Sequence, residues 1–279
     1  MLCRGDIARY LSGLSLFLFL LLPVRALAGA WTLDEKEFLN ITTLRAFQAD
    51  RFTDASGNEF STPDYDKLAL ETQLEYGYSP TLTLGAMLNA QHVHQSNALG
   101  LNDENYGIGN ASLYLRKQIA ELEGWVISAQ PMVQLPRVGA GYDLPAIGND
   151  DPELEMRLLA GRALFLLSDC DFVNFEAGYR HRFGDASDQV HLEGTLGLRP
   201  APKILLLTQL FVTHSFDLDY ASLPTDPSTD RDYRTVTAQL SAVFEVSPSL
   251  SLQLGVFHDL YVRNTGEGTG LIFSTWVRF

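Results

Sequence analysis

From Glu37 onward the chain alternates apolar and polar positions with period two, in about twelve segments of roughly ten residues each. Successive side chains of a strand point to opposite faces, so this pattern predicts strands with one apolar and one polar face. Over 65–78, Leu68, Leu70, Leu74, Tyr76 and Tyr78 share one parity, while Lys67, Glu71, Gln73 and Glu75 take the other. The same division separates Val173, Phe175, Ala177, Tyr179 and Phe183 from Asn174, Glu176, Arg180 and Arg182. It also separates Val190, Leu192, Leu196 and Leu198 from His191, Glu193, Thr195 and Arg199. Only 204–212 is apolar at both parities, so pattern alone does not orient it.

The connections alternate in length. Short ones fall at 79–80, 119–124, 168–171, 199–203 and 246–249, and longer ones at 51–64, 96–105, 137–152, 217–233 and 264–270, with 184–187 breaking the rule. Short turns at one end and long loops at the other are the habit of outer-membrane β-barrels, and an even strand number puts both termini in the periplasm. A soluble β-sandwich alternates apolar and polar positions too. The two ends of the chain favour the barrel. Leu271, Phe273, Thr275, Val277 and Phe279 share one parity, and this ending resembles the C-terminal strand by which the barrel-assembly machinery reads bacterial outer-membrane barrels. At the other end, Arg4 and Arg9 precede an apolar run from Leu11 to Leu22 and the small-x-small site Ala26-Leu27-Ala28, the pattern of a secretory signal. The run is shorter than the roughly 20 residues a spanning helix needs. The expected organisation is a cleaved signal peptide over 1–28 and one transmembrane antiparallel barrel of about twelve strands over 29–279, in the bacterial outer membrane.

A net charge of −14 argues against nucleic acid as a partner, because phosphate contacts need clustered Lys and Arg. Cys3 lies in the expected leader, which leaves Cys170 alone, without a disulfide partner or a thiolate metal set. Cys170 is flanked by Asp169 and Asp171, with no neighbouring cation to activate it.

Three features could carry function. The first is the lumen. Lys67, Glu71, Glu75, Arg116, Glu155, Arg157, Glu176, Arg180, Arg182, Glu193 and Arg199 all have inward parity. In a barrel of this size such groups either line a wet path for small solutes or pair with one another and fill the interior, and sequence leaves both open. The second is His92-Val93-His94-Gln95-Ser96-Asn97. It resembles the His-x-Ser-Asn segment of outer-membrane phospholipases and lipid A deacylases, in which His activates Ser against a lipid ester. His94 and Ser96 would be the base and nucleophile, on the lipid-side parity of their strand. Against this, a triad needs a third polar group. The position about twelve residues after the Ser is Ile108, and Asn110 has inward parity. The third feature is a set of acidic loops: Asp50, Asp54, Glu59, Asp64 and Asp66; then Asp143, Asp150, Asp151 and Glu153; then Asp217, Asp219, Asp226, Asp230 and Asp232. Clustered carboxylates can hold divalent cations, but none of the spacings matches a defined calcium loop, and the residues read as a solvated acidic surface. Signatures for phosphate cradling, zinc hydrolysis and a nucleophile elbow are absent, so no cofactor or metal is expected.

A family likeness is carried by Tyr106-Gly107-Ile108-Gly109-Asn110-Ala111-Ser112-Leu113-Tyr114-Leu115-Arg116, then Gly124-Trp125-Val126-Ile127-Ser128-Ala129-Gln130-Pro131 with Leu135-Pro136. Glu176-Ala177-Gly178-Tyr179-Arg180 and Trp276-Val277-Arg278-Phe279 extend it. These segments resemble the outer-membrane transporters grouped under the meta-pathway phenol-degradation label. Asn110 stands where that family more often has Asp. The resemblance implies a barrel with a passive-transport role and supplies neither a solute nor catalytic residues. The expected function is a channel for small organic solutes, in contact with outer-membrane lipid and lipopolysaccharide. The alternatives are a lipid-ester hydrolase using His94 and Ser96, and a closed structural barrel whose loops organise lipopolysaccharide or a surface partner.

Overall fold

In a computed structural model, which describes residues 29–96, 102–137, 145, 147–218 and 232–279, with backbone alone at 62–64, the chain forms a closed antiparallel barrel. Its strands are β1 (Phe38–Thr53), β2 (Glu59–Ser79), β3 (Leu82–Ser96), β4 (Asn102–Leu122), β5 (Trp125–Leu135), β6 (Glu153–Leu164), β7 (Asp171–Arg182), β8 (Gln189–Ala201), β9 (Ile204–Ser215), β10 (Arg234–Ser247), β11 (Leu250–Arg263) and β12 (Thr265–Arg278). Each strand pairs with its sequence neighbours, and β1 pairs with β12 to close the sheet. At the seam the Phe38 amide donates to the Phe279 carbonyl at 2.9 Å and the Phe279 amide to the Phe38 carbonyl at 3.1 Å. The two rings stack there, 5.5 Å apart. Both ends of the barrel sequence therefore lie at one rim, called here the terminal rim.

The alternation predicted from sequence is the alternation observed. Leu68, Leu70, Leu74, Leu113, Leu115, Leu192, Leu271 and Phe273 are exposed on the outer wall, whereas Glu75, Arg116, Glu155, Arg182 and Arg199 are buried inside. So continuous an apolar exterior would be an aggregation surface in water and is what hydrocarbon requires. The segment left unoriented by sequence settles with Leu206 and Leu210 outside and Leu205 and Leu207 inside. There they form an apolar cluster with Phe172 and Val243.

Several predicted boundaries are corrected. The loop predicted over 264–270 is a turn at Asn264, which takes a left-handed φ of 56°, and β12 starts at Thr265. The loop predicted over 51–64 contracts to 54–58, where the Asp54 carboxylate accepts the Asn58 amide at 2.8 Å. At the terminal rim the β4–β5 hairpin turns through Glu123 and Gly124, both at positive φ, as two-residue hairpins favour. The β6–β7 turn is organised by Asp171, whose Oδ2 accepts the amides of Leu166, Leu167 and Ser168.

Residues 29–37 precede the first wall strand at the terminal rim, where 29–33 run inside the barrel and 34–36 are exposed. The Ala30 amide donates to Asn174 Oδ1 at 2.9 Å, and the Ser128 hydroxyl donates to the Ala30 carbonyl at 2.5 Å. Arg116 Nη1 donates to the Trp31 carbonyl at 3.2 Å, and the Leu33 amide donates to Thr83 Oγ1 at 2.9 Å. Trp31 meets Phe172 edge-on at 5.9 Å and packs on the apolar cluster together with Trp276. The segment's backbone polar groups are thus satisfied by the inner wall, as burial demands.

Candidate functional site: the lumen

Above this segment, a cavity of about 360 Å³ occupies the middle of the barrel. Six residues assigned to the lumen from sequence line it: Glu75, Arg116, Arg157, Glu176, Arg180 and Glu193. A second cavity, of about 370 Å³, lies toward the opposite rim and is lined by two more, Lys67 and Glu71. Arg45 borders both. The remaining three, Glu155, Arg182 and Arg199, face inward but are packed into the wall.

The wall from β6 to β8 is an ion-pair network. Its register sets Glu155 opposite Arg180 and Glu153 opposite Arg182. Arg180 Nη2 lies 2.7 Å from Glu155 and its Nη1 3.1 Å from Glu153. Arg182 joins Glu153 at 3.3 Å to Asp232 at 3.0 Å. Glu155 also contacts Arg157 and receives His191 Nδ1 at 3.2 Å. Glu153 and Asp232, read from sequence as loop carboxylates, are in fact buried partners of Arg182. Each of these ions has lost water and depends on its neighbours, so this wall is committed to structure.

Nearer the terminal rim, Glu75 is the hub. It accepts Arg116 Nη2 at 3.0 Å, the Tyr114 hydroxyl at 2.5 Å and Gln73 Nε2 at 2.9 Å. Arg116 also donates to Gln130 at 2.9 Å. Tyr114 reaches Glu75 only because Gly85, on the intervening strand, has no side chain: a Cβ there would stand 2.1 Å from the ring.

Two lining charges are different. Glu193 faces Glu176 in the β7–β8 ladder, two like charges directly opposite. Glu176 has Arg157 at 3.4 Å, whereas Glu193 has no ion pair or hydrogen bond among the described residues. The same holds for Lys67 in the second cavity. A carboxyl group and an amine are thus presented to open volume, one in each of the two cavities that Arg45 borders.

The described part of the third long loop turns inward. Pro145 and Ile147 are buried, and Asn105 Nδ2 donates to the Pro145 carbonyl at 3.0 Å. Asn110 sits where β4 bulges against Asn89. It accepts the Asn149 amide at 2.8 Å and donates to the Leu135 carbonyl at 2.9 Å. An amide both donates and accepts here, which an ionised Asp could not do. Residues 219–231 of the fifth long loop lie outside the described residues, as do Asp143 and 1–28, where the signal peptide is expected.

His94 and Ser96 lie on the outer wall near the rim opposite the termini. His94 Nδ1 stands 3.9 Å from Asp66, and the Ser96 hydroxyl donates to Asn102 Oδ1 at 2.8 Å. No hydrogen bond joins the two residues, and the tighter imidazole contact belongs to His92, 2.5 Å from Glu104. Among the described residues there is no group of three or more side chains placed to hold a metal ion.

No family model and no curated protein matches the chain. Among solved structures it is similar to the COG4313 outer membrane channel from Pseudomonas putida F1, at 16% identity and a TM-score of 0.73, over 90% of this chain and 98% of that one. It also aligns with the translocator domain of the autotransporter NalP from Neisseria meningitidis, at 11% identity and a TM-score of 0.49, covering 89% of each chain. KdgM porin aligns at 9% identity and the same TM-score, over 86% of this chain and 99% of that one. The first of these shares the fold.

Proposed function

We propose that this protein is a bacterial outer-membrane channel that passes small organic solutes by passive diffusion through the barrel. Removal of the signal peptide 1–28 would leave a chain whose terminal rim faces the periplasm, assembled through its C-terminal strand and set among lipopolysaccharide. Membership of the transporter family grouped with meta-pathway phenol degradation is part of the same reading. The observation that carries it is the pair of cavities inside the barrel, each lined by an ionisable group, Glu193 or Lys67, that has neither a hydrogen bond nor an ion pair among the described residues. A barrel built only as a scaffold has no reason to leave Glu193 and Lys67 unpaired beside open volume, since an uncompensated buried ion destabilises the fold.

Planar-bilayer recording of the refolded mature chain tests it. Stepwise conductance is expected, with a shift in ion selectivity toward anions in Glu193→Gln. No steps at any voltage, in protein shown to be folded, would overturn the channel.

A further inference from the structure

The cavity beyond Arg45 has the composition of a ligand site, and we propose that it binds a small planar organic monocarboxylate. The carboxylate would lie on Lys67 and the ring against Phe257 and Phe47. This names a solute class for the channel and rests on that reading.

The aromatic wall is built over β12, which turns Gly266, Gly268 and Gly270 inward at alternate positions. A Cβ at Gly268 would stand 2.6 Å from the Phe47 ring, and one at Gly270 would stand 2.2 Å from the Phe257 ring. The strip without side chains is therefore where the two rings lie. They are stacked, 6.0 Å apart and 8° from parallel, with Tyr65 edge-on to Phe47 at 6.2 Å. The Arg45 guanidinium covers Phe257 at 4.8 Å from its centroid. Flat rings offer stacking and edge contacts to another flat ring, and much less to a puckered or branched body.

Charge selects the sign of the ligand. Two carboxylates border the cavity and both are engaged. Asp259 accepts Thr237 Oγ1 at 2.6 Å and the Gly268 amide at 3.3 Å, the latter where the β11–β12 ladder has ended at His258 and Thr269. Glu71 lies 4.0 Å from Arg45 and accepts the Asn89 amide group at 3.5 Å. Lys67, directly across the β1–β2 ladder from Phe47, has no hydrogen bond or ion pair among the described residues. Among the described residues it is the one charge lining the cavity with neither a hydrogen bond nor an ion pair, Glu71 acting on it only at longer range, and a carboxylate would supply the charge-assisted hydrogen bond it lacks. A volume of about 370 Å³ falls within the usual range for small-molecule sites.

The test is calorimetric titration of the full mature chain in detergent with benzoate, benzylamine and acetate, in parallel with bilayer recording of the same preparation. Saturable binding of benzoate is expected, with none of benzylamine and at least about tenfold weaker binding of acetate. Lys67→Met should weaken benzoate by about tenfold or more, the value of one charge-assisted hydrogen bond, while Lys67→Arg stays close to wild type. Phe257→Leu should weaken benzoate and leave acetate unchanged. Absence of saturable benzoate binding, equal binding of benzylamine, or an unaltered Lys67→Met variant would each overturn the site. The wild-type comparison of benzoate with benzylamine decides the question even if a variant fails to fold. Conductance steps without benzoate binding would remove the site and keep the channel; benzoate binding without steps would do the reverse.

Discussion

Arg116 on β4 reaches past β3 to place its Nη2 3.0 Å from Glu75 on β2, while its Nη1 holds the Trp31 carbonyl. One guanidinium thus ties the barrel wall to the segment lying inside it. Replacing Arg116 with Met strands a buried carboxylate and frees the segment, so a loss of about 3–5 kcal/mol is expected in urea unfolding from lipid vesicles. Asp66→Asn, beside the partly exposed His94, should cost less than about 1 kcal/mol in the same assay.

Gly85 is predicted to be intolerant for want of space. Gly85→Val would drive a side chain into the Tyr114 ring, which its bond to Glu75 keeps from yielding, with a cost of about 1–3 kcal/mol. Gly194→Ala serves as the control. Its Cβ would meet Phe175 at 3.8 Å, ordinary contact, and its unfolding midpoint should match wild type.

Trp31→Ala should raise single-channel conductance. The ring packs on the cluster around Phe172 and Leu205, so its loss both loosens the segment and opens the space it fills. An unchanged conductance would show that the ring does not limit flow through the barrel.

At the rim opposite the termini, acid should loosen the β7–β8 turn. Burial pushes the Asp188 carboxyl up, but the Tyr179 hydroxyl, the Arg182 amide and His181 together outweigh burial and hold it below the usual carboxylate range. A lowered value means that the stabilisation is fully present above the ordinary Asp pKa of about 3.9 and is lost as pH falls through the lowered one. Hydrogen exchange of the Arg182 amide, which Asp188 Oδ1 accepts at 3.0 Å, should therefore be protected at neutral pH and released in strong acid. Asp188→Asn should be released at both.

Ser96→Ala is expected to change nothing. The Ser96 hydroxyl is donated to Asn102 and makes no hydrogen bond with His94, so the wild-type protein should release no fatty acid from outer-membrane lipid. Release that depends on Ser96 would replace the channel reading with the hydrolase.

The strands and their faces were legible because a period of two leaves little freedom: once Leu68 and Leu70 face out, Lys67 and Glu71 must face in. Pattern failed where one residue type serves both sides, as at Leu205 and Leu206. It also failed where a strand carries glycine in place of apolar residues, which made 264–270 read as a loop. Arg45, Tyr114, Phe47 and Phe257 were missed as site residues. Their roles come from glycines on the adjacent strands, Gly85 opposite Tyr114 and Gly270 opposite both Phe47 and Phe257, and single-strand periodicity contains no such cross-strand relation. The inner segment was missed for a related reason. Ala30, Trp31 and Leu33 carry no alternation of their own and are buried by a wall that only the closed barrel provides.

That segment also sets an order in time. Its partners Thr83, Arg116, Ser128 and Asn174 lie between 50 and 144 residues further along the chain. Contacts of such sequence separation form slowly, because the intervening loop must close before anything is gained. Ala30 has no acceptor for its amide until β7 is in place. The residues made earliest in the barrel therefore settle only after much of the wall exists, and their docking belongs to a late stage of assembly, with the closure of β1 on β12, whose partners are farther apart still.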